Sequence, residues 1–301
     1  MTPEQYSFTN PQLQVPGETG VYADRFLQIK SCAAAIAKHL GANRQLLLDV
    51  DGVICQADAL DFPRLTAPSI ISSIRGLEDR GIAVGVATAR GMHIVDYLRE
   101  EHSLQLEGSS ILEEGQMLLR EGRVEHTVPN AHRMFIRNLR EKLQQHSGFR
   151  PLWQEVEAKT FCPGDRQWQG QSRASLLFRA EDGIEEGYEI LVSIELTLAE
   201  TAKANGLDPQ DIVIGVNRMS MNNLGIITIN GKKDGQYVDK GIAAKILEGS
   251  WVFVADGFGD SHLALVTKER GGLVVGIEGN LDVSSEPPKF LTQSHYVLVH
   301  P

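Results

Sequence analysis

Four aspartates stand directly after runs of apolar residues, at positions where packing alone does not require a carboxylate. Asp49 and Asp51 close one such run near the start of the chain. Asp256 and Asp260 follow another, about 200 residues later. If the four meet, their charges repel one another and must be neutralised. Oxygen ligands without an organised set of histidines or cysteines favour a hard cation, and Mg²⁺ is the cation we expect.

The same region of the sequence offers the groups for phosphoryl transfer. A carboxylate beside Mg²⁺ and a phosphate can attack phosphorus to form an aspartyl-phosphate, and Asp49 has that position. Asp51 lies two residues further, where the strand is ending, so its carboxyl group can serve the leaving oxygen as general acid and base. Thr88 stands at a turn into a helix and offers a hydroxyl and main-chain N–H groups to phosphate, while Lys240 offers positive charge.

Parallel strands are the elements that could bring these residues together. The apolar run 46–48 is typical of a strand buried on both faces, and a helix with Pro68 in its first turn separates it from a second run at 82–87. This order of strand, helix and strand indicates a βαβ unit. Similar runs predict strands at 251–255, 273–277 and 296–299. Since ligands of such sheets bind beyond the carboxyl ends of the strands, the polar residues are expected at one edge.

The pattern of predicted elements changes between the second and third of these strands. Helices are predicted at 130–146 and near 196–205, and strand-like segments at 174–178, 190–194 and 225–229. Asp-Gly and Asn-Gly pairs punctuate them, as turns do. We interpret this stretch as an α+β insert of normal domain size.

Four ordered segments resemble the motifs of the haloacid dehalogenase-like hydrolase superfamily. They are Asp-Val-Asp-Gly-Val at 49–53, Thr88, Lys240-Gly241, and Ala-Asp-Gly-Phe-Gly-Asp at 255–260. The resemblance implies a Rossmann-like, three-layer α/β core with a parallel sheet and an inserted α+β cap domain. It also implies that Asp49 is the nucleophile and Asp51 the acid and base. The second aspartate is the mark of the superfamily's phosphatases and phosphomutases, whereas its dehalogenases and P-type ATPases lack it.

The resemblance assigns the remaining residues to phosphate and metal. Thr88 and Lys240 would hold the phosphoryl group. Asp49 would bind Mg²⁺, as would the main-chain carbonyl of Asp51. Asp256 would be a direct ligand and Asp260 would support the ion or its waters.

The position of the insert points to one subgroup. Only residues 52–66 separate the first motif from the following helix, which is too short for a folded lid, and the insert lies between Thr88 and Lys240. That layout is similar to the large α+β-capped phosphatases, such as the sucrose- and trehalose-phosphate phosphatases and the Cof-like group. We therefore expect a core at 1–129 and 231–301, with an irregular arm at 1–22, and a cap at 130–230.

Selectivity is expected from the insert. Glu157 and Lys159 faintly resemble a Glu-x-Lys pair in trehalose-phosphate phosphatase caps, and Arg173 could also reach a substrate across the cleft. In the core, Arg90 is interpreted as a solvent-facing residue at a helix start. His262 is interpreted as a side chain of a helix start, not as a catalytic group.

Composition excludes several classes of protein. The chain of 301 residues has 29 Lys and Arg against 39 Asp and Glu, a net charge of −10, so nucleic acid is not an expected partner. No apolar run approaches the ~20 residues of a membrane span, and the first 20 residues lack the pattern of a secretory signal. Three widely spaced cysteines form no zinc or disulfide pattern, which fits the cytoplasm.

The sequence therefore predicts a Mg²⁺-dependent phosphatase that acts on a small phosphorylated metabolite, with a sugar phosphate as the expected class. Two alternatives stay open at this point. A phosphosugar mutase would share the fold and the residues. A noncatalytic sensor or interaction protein could keep the fold, although binding alone would not require both Asp49 and Asp51.

Overall fold

The computed structural model describes residues 12–14, 35–54, 68–143, 171–180, 183–218, 224–255, 258–278 and 296–299. Its largest sheet has six strands. They are β1 (Gln12–Gln14), β2 (Gln45–Leu48), β3 (Ala83–Val86), β11 (Val252–Ala255), β12 (Leu273–Glu278) and β13 (Tyr296–Val299). Their spatial order is β1-β13-β12-β11-β2-β3, and all neighbours are parallel except β1 against β13.

Alternate residues of the parallel strands pack on opposite faces of this sheet. Leu46 and Leu48 join the apolar cluster on one face, whereas Leu47 joins the cluster on the other. The first face is covered by α2 (Pro68–Glu78) and α3 (His93–His102). The second is covered by α6 (Lys240–Ala244) and α7 (Ser261–Glu269). Two helical layers around a parallel sheet confirm the predicted Rossmann-like α/β core.

Two further elements adjoin the core. Residues 35–43 are helical and form the described part of α1. A small antiparallel sheet follows α3 and consists of β4 (Ser110–Leu112), β5 (Met117–Arg120) and β6 (Arg123–His126). Ile111 of β4 forms a parallel bridge with Ala87, so this small sheet continues from the end of β3.

A second unit, which we call the antiparallel unit, is built from four strands and two helices. It contains α4 (Asn130–Leu143), β7 (Ala174–Arg179), α5 (Glu185–Ala204), β8 (Ile212–Arg218), β9 (Leu224–Lys233) and β10 (Gln236–Tyr237). The long strand β9 pairs antiparallel with β7, β8 and β10. Both helices pack on this sheet through an apolar cluster of their own, which includes Phe135, Phe178 and Ile194.

Two sequence predictions are wrong in detail. The segment 190–194, predicted as a strand, lies inside α5, because Ile194, Leu198 and Ala202 are buried at four-residue steps while Val192 is exposed. The predicted irregular arm 1–22 contains the short strand β1, which pairs antiparallel with β13 at the edge of the sheet. The rest of the arm lies outside the described residues.

The predicted boundaries near residues 129 and 231 stay a prediction, although the chain does change from one sheet system to the other at α4 and β9. Within the described ranges, no helix combines the length and the apolar character needed to cross a membrane.

Candidate active site

Lys240 joins two of the predicted aspartates at the carboxyl edge of the parallel sheet. Its Nζ lies 2.8 Å from Asp260 Oδ1 and 3.3 Å from Asp49 Oδ1. All three side chains are buried, with no more than 9% of any of them exposed. Asp49 is fixed at the end of β2, where its N–H donates to Val254 O at 2.8 Å. Residues 191 positions apart in sequence thus meet, as the parallel topology predicts.

The charge of Lys240 is maintained by its surroundings. Burial alone would lower the pKa of its ammonium group, but the carboxylates of Asp260, Asp49 and Glu114 and the hydrogen bond to Asp260 raise that pKa well above the usual value. The ammonium group is therefore charged throughout the neutral range. It is the counter-ion of a carboxylate pair and can also attract an incoming phosphate.

The start of α6 positions Lys240. Asp239 precedes this helix and accepts a hydrogen bond from Ile242 N at 2.8 Å, which is a helix N-cap. His262 Nδ1 lies 2.8 Å from Asp239 Oδ2, and the imidazole ring packs so closely on Gly241 that a Cβ there would collide with it. The interpretation of His262 as a side chain of a helix start is confirmed, since it is the second residue of α7.

Asp51 is held by Arg90. The guanidinium Nη2 lies 2.7 Å from Asp51 Oδ1, and its Nε donates to Oδ2 at 3.0 Å. Arg90 is 6% exposed, so its interpretation as a solvent-facing residue is wrong. The sequence could not show this pairing, because residues 52–89 separate the two partners and only the return of β3 beside β2 brings them together.

Thr88 lies beyond the end of β3 and is fully buried. Its N–H donates to Ile111 O at 2.8 Å and its carbonyl accepts from Glu114 N at 3.1 Å. Its hydroxyl accepts a hydrogen bond from Arg90 N at 3.2 Å. The loop 88–90 thus follows β3, the neighbour of the strand that ends at Asp49, and it stands at the same edge as Asp49. The phosphate-binding role of Thr88 stays a prediction.

The other predicted residues divide into two groups. Asp256, Glu157 and Lys159 lie outside the described residues, so their roles stay predictions. Arg173 is described, and it immediately precedes β7 of the antiparallel unit. Its Nη1 donates to Ala89 O at 3.0 Å, so it binds the loop that carries Thr88.

The donor chemistry of the described residues fits a hard divalent cation in part. The carboxylates of Asp49 and Asp260 converge, and they are oxygen donors of the kind that Mg²⁺ prefers. The part of the chain that the structure describes contains no group of three or more His, Cys, Asp or Glu residues arranged for a metal ion. Asp256, the ligand predicted to complete the set, is outside that part.

One element beside the site is not among the residues predicted from the sequence. We call residues 113–116 the junction segment. Glu113, Glu114 and Gly115 have φ angles of 52°, 59° and 96°, so three successive residues adopt left-handed conformations. A Cβ on Gly115 would collide with the carbonyl of Asp239, which precedes Lys240. Such strained backbone is characteristic of functional sites.

Comparison with known proteins gives a fold and no close relative. No family model matches the chain, and no curated protein matches it. A haloacid dehalogenase-like hydrolase from Bacteroides thetaiotaomicron aligns with a TM-score of 0.54 and 11% identity, over 85% of this chain and 94% of that one. A Thermotoga maritima protein aligns with a TM-score of 0.52 and 16% identity, over 85% and 92%.

A hypothetical protein from Geobacillus kaustophilus aligns equally well, with a TM-score of 0.52 and 14% identity, over 86% of this chain and 93% of that one. In all three cases the alignment covers at least 85% of this chain. The resemblance predicted from four short motifs is thus confirmed at the level of the fold. The chain has the fold of the haloacid dehalogenase-like hydrolases.

Proposed function

We propose that the protein is a phosphatase that hydrolyses a small phosphorylated metabolite, with a sugar phosphate as the expected class. The observation that carries the proposal is the meeting of Asp49, Lys240 and Asp260 at the carboxyl edge of the sheet. A buried carboxylate paired with a charged ammonium group combines a nucleophile with a binding site for a phosphate. The shared fold with a haloacid dehalogenase-like hydrolase supports the same assignment.

In the first step, Asp49 attacks phosphorus, its Oδ–P bond forms, and the bond from phosphorus to the leaving oxygen breaks. Asp51 gives its proton to that leaving oxygen. Thr88 and Lys240 hold the oxygens of the phosphoryl group and offset the negative charge that develops on them.

In the second step, water attacks phosphorus and passes a proton to Asp51. The bond between phosphorus and Asp49 then breaks, so inorganic phosphate leaves and both carboxyl groups regain their initial states. Mg²⁺ bound by Asp49, Asp260 and Asp256 would add positive charge beside the phosphoryl oxygens.

The test is a screen of the purified protein against phosphate esters, with Mg²⁺ and with a chelator. We expect inorganic phosphate to accumulate in step with loss of substrate, and to stop when the metal is removed. Isomerised sugar phosphate without release of phosphate would favour a mutase. Binding of sugar phosphates without any turnover would favour a sensor.

A further inference from the structure

Two side chains of the junction segment bind the antiparallel unit. Just before β7, Glu113 accepts hydrogen bonds from Gln171 N at 2.7 Å and from Ser172 N at 2.6 Å. In β9, Gln116 donates to Asn230 Oδ1 at 2.7 Å and accepts from Gly231 N at 3.1 Å. These two residues of the core thus hold two separate strands of the antiparallel unit.

The Glu113 carboxylate is an unusual group to place at such a point. It is 1% exposed, and its two oxygens accept hydrogen bonds from the main-chain N–H groups of Gln171 and Ser172. Burial raises the pKa of its carboxyl group, while the two N–H groups and the nearby Arg173 and Arg140 act in the opposite direction. Burying a carboxylate is costly unless it is fully hydrogen-bonded, so we expect the Glu113 carboxylate to keep its bonds to Gln171 and Ser172 in the folded protein.

The main chain of Glu113 continues the connection toward the site. Its N–H donates to Arg90 O at 2.9 Å. The side chain of the same arginine holds Asp51 through Nη2 and Nε. Ser172, just before β7, is therefore joined to the carboxylate predicted to act as acid and base by three sets of hydrogen bonds and by the side chains of Glu113 and Arg90.

We infer that Glu113 is a positioning residue, which couples the placement of the antiparallel unit to the orientation of Asp51 through Arg90. When the unit is seated, Glu113 fixes the carbonyl of Arg90. The guanidinium then keeps Asp51 Oδ1 through Nη2, while Oδ2 gives up its bond to Nε and carries the proton for the leaving oxygen. This inference rests on the proposed phosphatase function. It adds a residue that touches neither substrate nor the reacting atoms.

A purely structural brace is the competing explanation, and the chain contains a matched example of one. Glu78 is 7% exposed and accepts hydrogen bonds from Gln105 N at 3.0 Å and Leu106 N at 2.7 Å. It is the last residue of α2, which precedes β3, so it lies toward the amino ends of the strands, opposite the site. Glu78→Gln therefore removes equivalent bonds in the same core without touching the proposed route.

The experiment compares kcat/KM for phenyl phosphate and p-nitrophenyl phosphate in folded variants. Phenolate is the more basic leaving group, so its departure depends more on protonation by Asp51. We expect Glu113→Gln to lower the ratio of the phenyl to the p-nitrophenyl value about tenfold, a fraction of what a general acid contributes. Glu78→Gln should leave the ratio at its wild-type value. If Glu113→Gln does not fold, Glu113→Asp, which retains the charge with a shorter reach, should lower the same ratio.

A double-variant comparison sharpens the test. Arg90→Lys keeps a positive charge but loses the planar fork, so it should lower the ratio as well. Because both residues act on one route, the double variant should be no worse than Arg90→Lys alone. Multiplied effects, or a folded Glu113→Gln protein with the wild-type ratio, would contradict the inference and leave the phosphatase function standing. A wild-type protein that hydrolyses neither ester would remove both.

Discussion

The parallel sheet and the antiparallel unit present their polar residues in different ways. At the carboxyl edge of the parallel sheet, Asp49 and Thr88 follow neighbouring strands, and Lys240 closes the group from a helix start. In the antiparallel unit, the one described substrate candidate, Arg173, donates instead to a main-chain carbonyl of the core. The comparison teaches that the sheet topology brings the proposed catalytic residues together, whereas Arg173 takes part in packing between the two regions.

The largest expected effect on activity comes from a substitution in the parallel core that leaves the antiparallel unit unchanged. Asp49→Asn should reduce phosphate release by about 10⁴-fold or more, because an amide is a poor nucleophile. The matched control is Asp208→Asn, since Asp208 is exposed and caps a short 3₁₀ helix of the antiparallel unit. It should retain wild-type turnover. Near-normal kcat in a folded Asp49→Asn protein would exclude Asp49 as the nucleophile.

A second substitution removes the positive charge at the edge. Lys240→Met should lower kcat by about 10²–10³-fold, the usual cost of losing one group that stabilises transition-state charge. Asp49 and Asp260 would also lose their shared ammonium group. Lys203→Met, at an exposed position near the end of α5, is the control and should change kcat little. Equal kinetics of the two variants would show that the charge of Lys240 is not used.

Two glycines in helices, one in each region, allow the tightness of packing in the two regions to be compared. A Cβ on Gly187 in α5 would lie 2.6 Å from Phe178 Cζ and 2.7 Å from Val216 Cγ1, whereas a Cβ on Gly76 in α2 would meet nothing within 4 Å. Gly187→Ala should therefore destabilise the protein by about 1–3 kcal/mol, as overpacking does. Gly76→Ala should stabilise it by up to about 1 kcal/mol. Urea unfolding measures both, and shifts of the same sign would contradict the packing described for α5.

The junction between the regions should respond to acid through His132. Its Nε2 donates to Ser172 O at 3.0 Å, and burial lowers the pKa of its imidazole to about 4. The folded protein thus binds a proton less readily than the unfolded chain, whose histidine pKa is about 6.5. Stability should fall as the pH decreases from 6.5 toward 4, by about 2 kcal/mol between pH 7 and pH 5.

The measurement is urea unfolding of wild-type protein and His132→Gln at pH 7 and pH 5. The glutamine retains an N–H donor for Ser172 but does not titrate, so its loss of stability over this interval should be smaller by about 2 kcal/mol. Identical losses in the two proteins would show that His132 does not carry the pH dependence.

The sequence predicted the parallel core well, because short apolar runs that end in Asp or Thr have few other interpretations. The strands that carry Asp49, Thr88 and the C-terminal aspartates are found within one or two residues of their predicted bounds. It also predicted that Asp49 and Asp260 would lie at one edge, since the carboxyl ends of parallel strands share an edge, and Lys240 contacts both.

Contacts between side chains that are distant in sequence could not be predicted. The pairing of Arg90 with Asp51 and the binding of Glu113 to Ser172 depend on how loops return over the sheet edge. The spacing of apolar residues along the chain carries no information about such contacts. The strand predicted at 190–194 was wrong for a related reason, because five consecutive large apolar or small residues fit a strand and a helix equally well until the packing partner is known.

The central claim is that Asp49 forms a covalent bond to phosphorus, and trapping that intermediate tests it most directly. The protein would be mixed with p-nitrophenyl phosphate and Mg²⁺, quenched with acid within the first turnover, and reduced with borohydride, which converts an aspartyl-phosphate to homoserine. Peptide mass spectrometry would then locate the change. The account predicts homoserine at position 49 and nowhere else. Turnover with an unmodified Asp49, or with the modification on another residue, would contradict it.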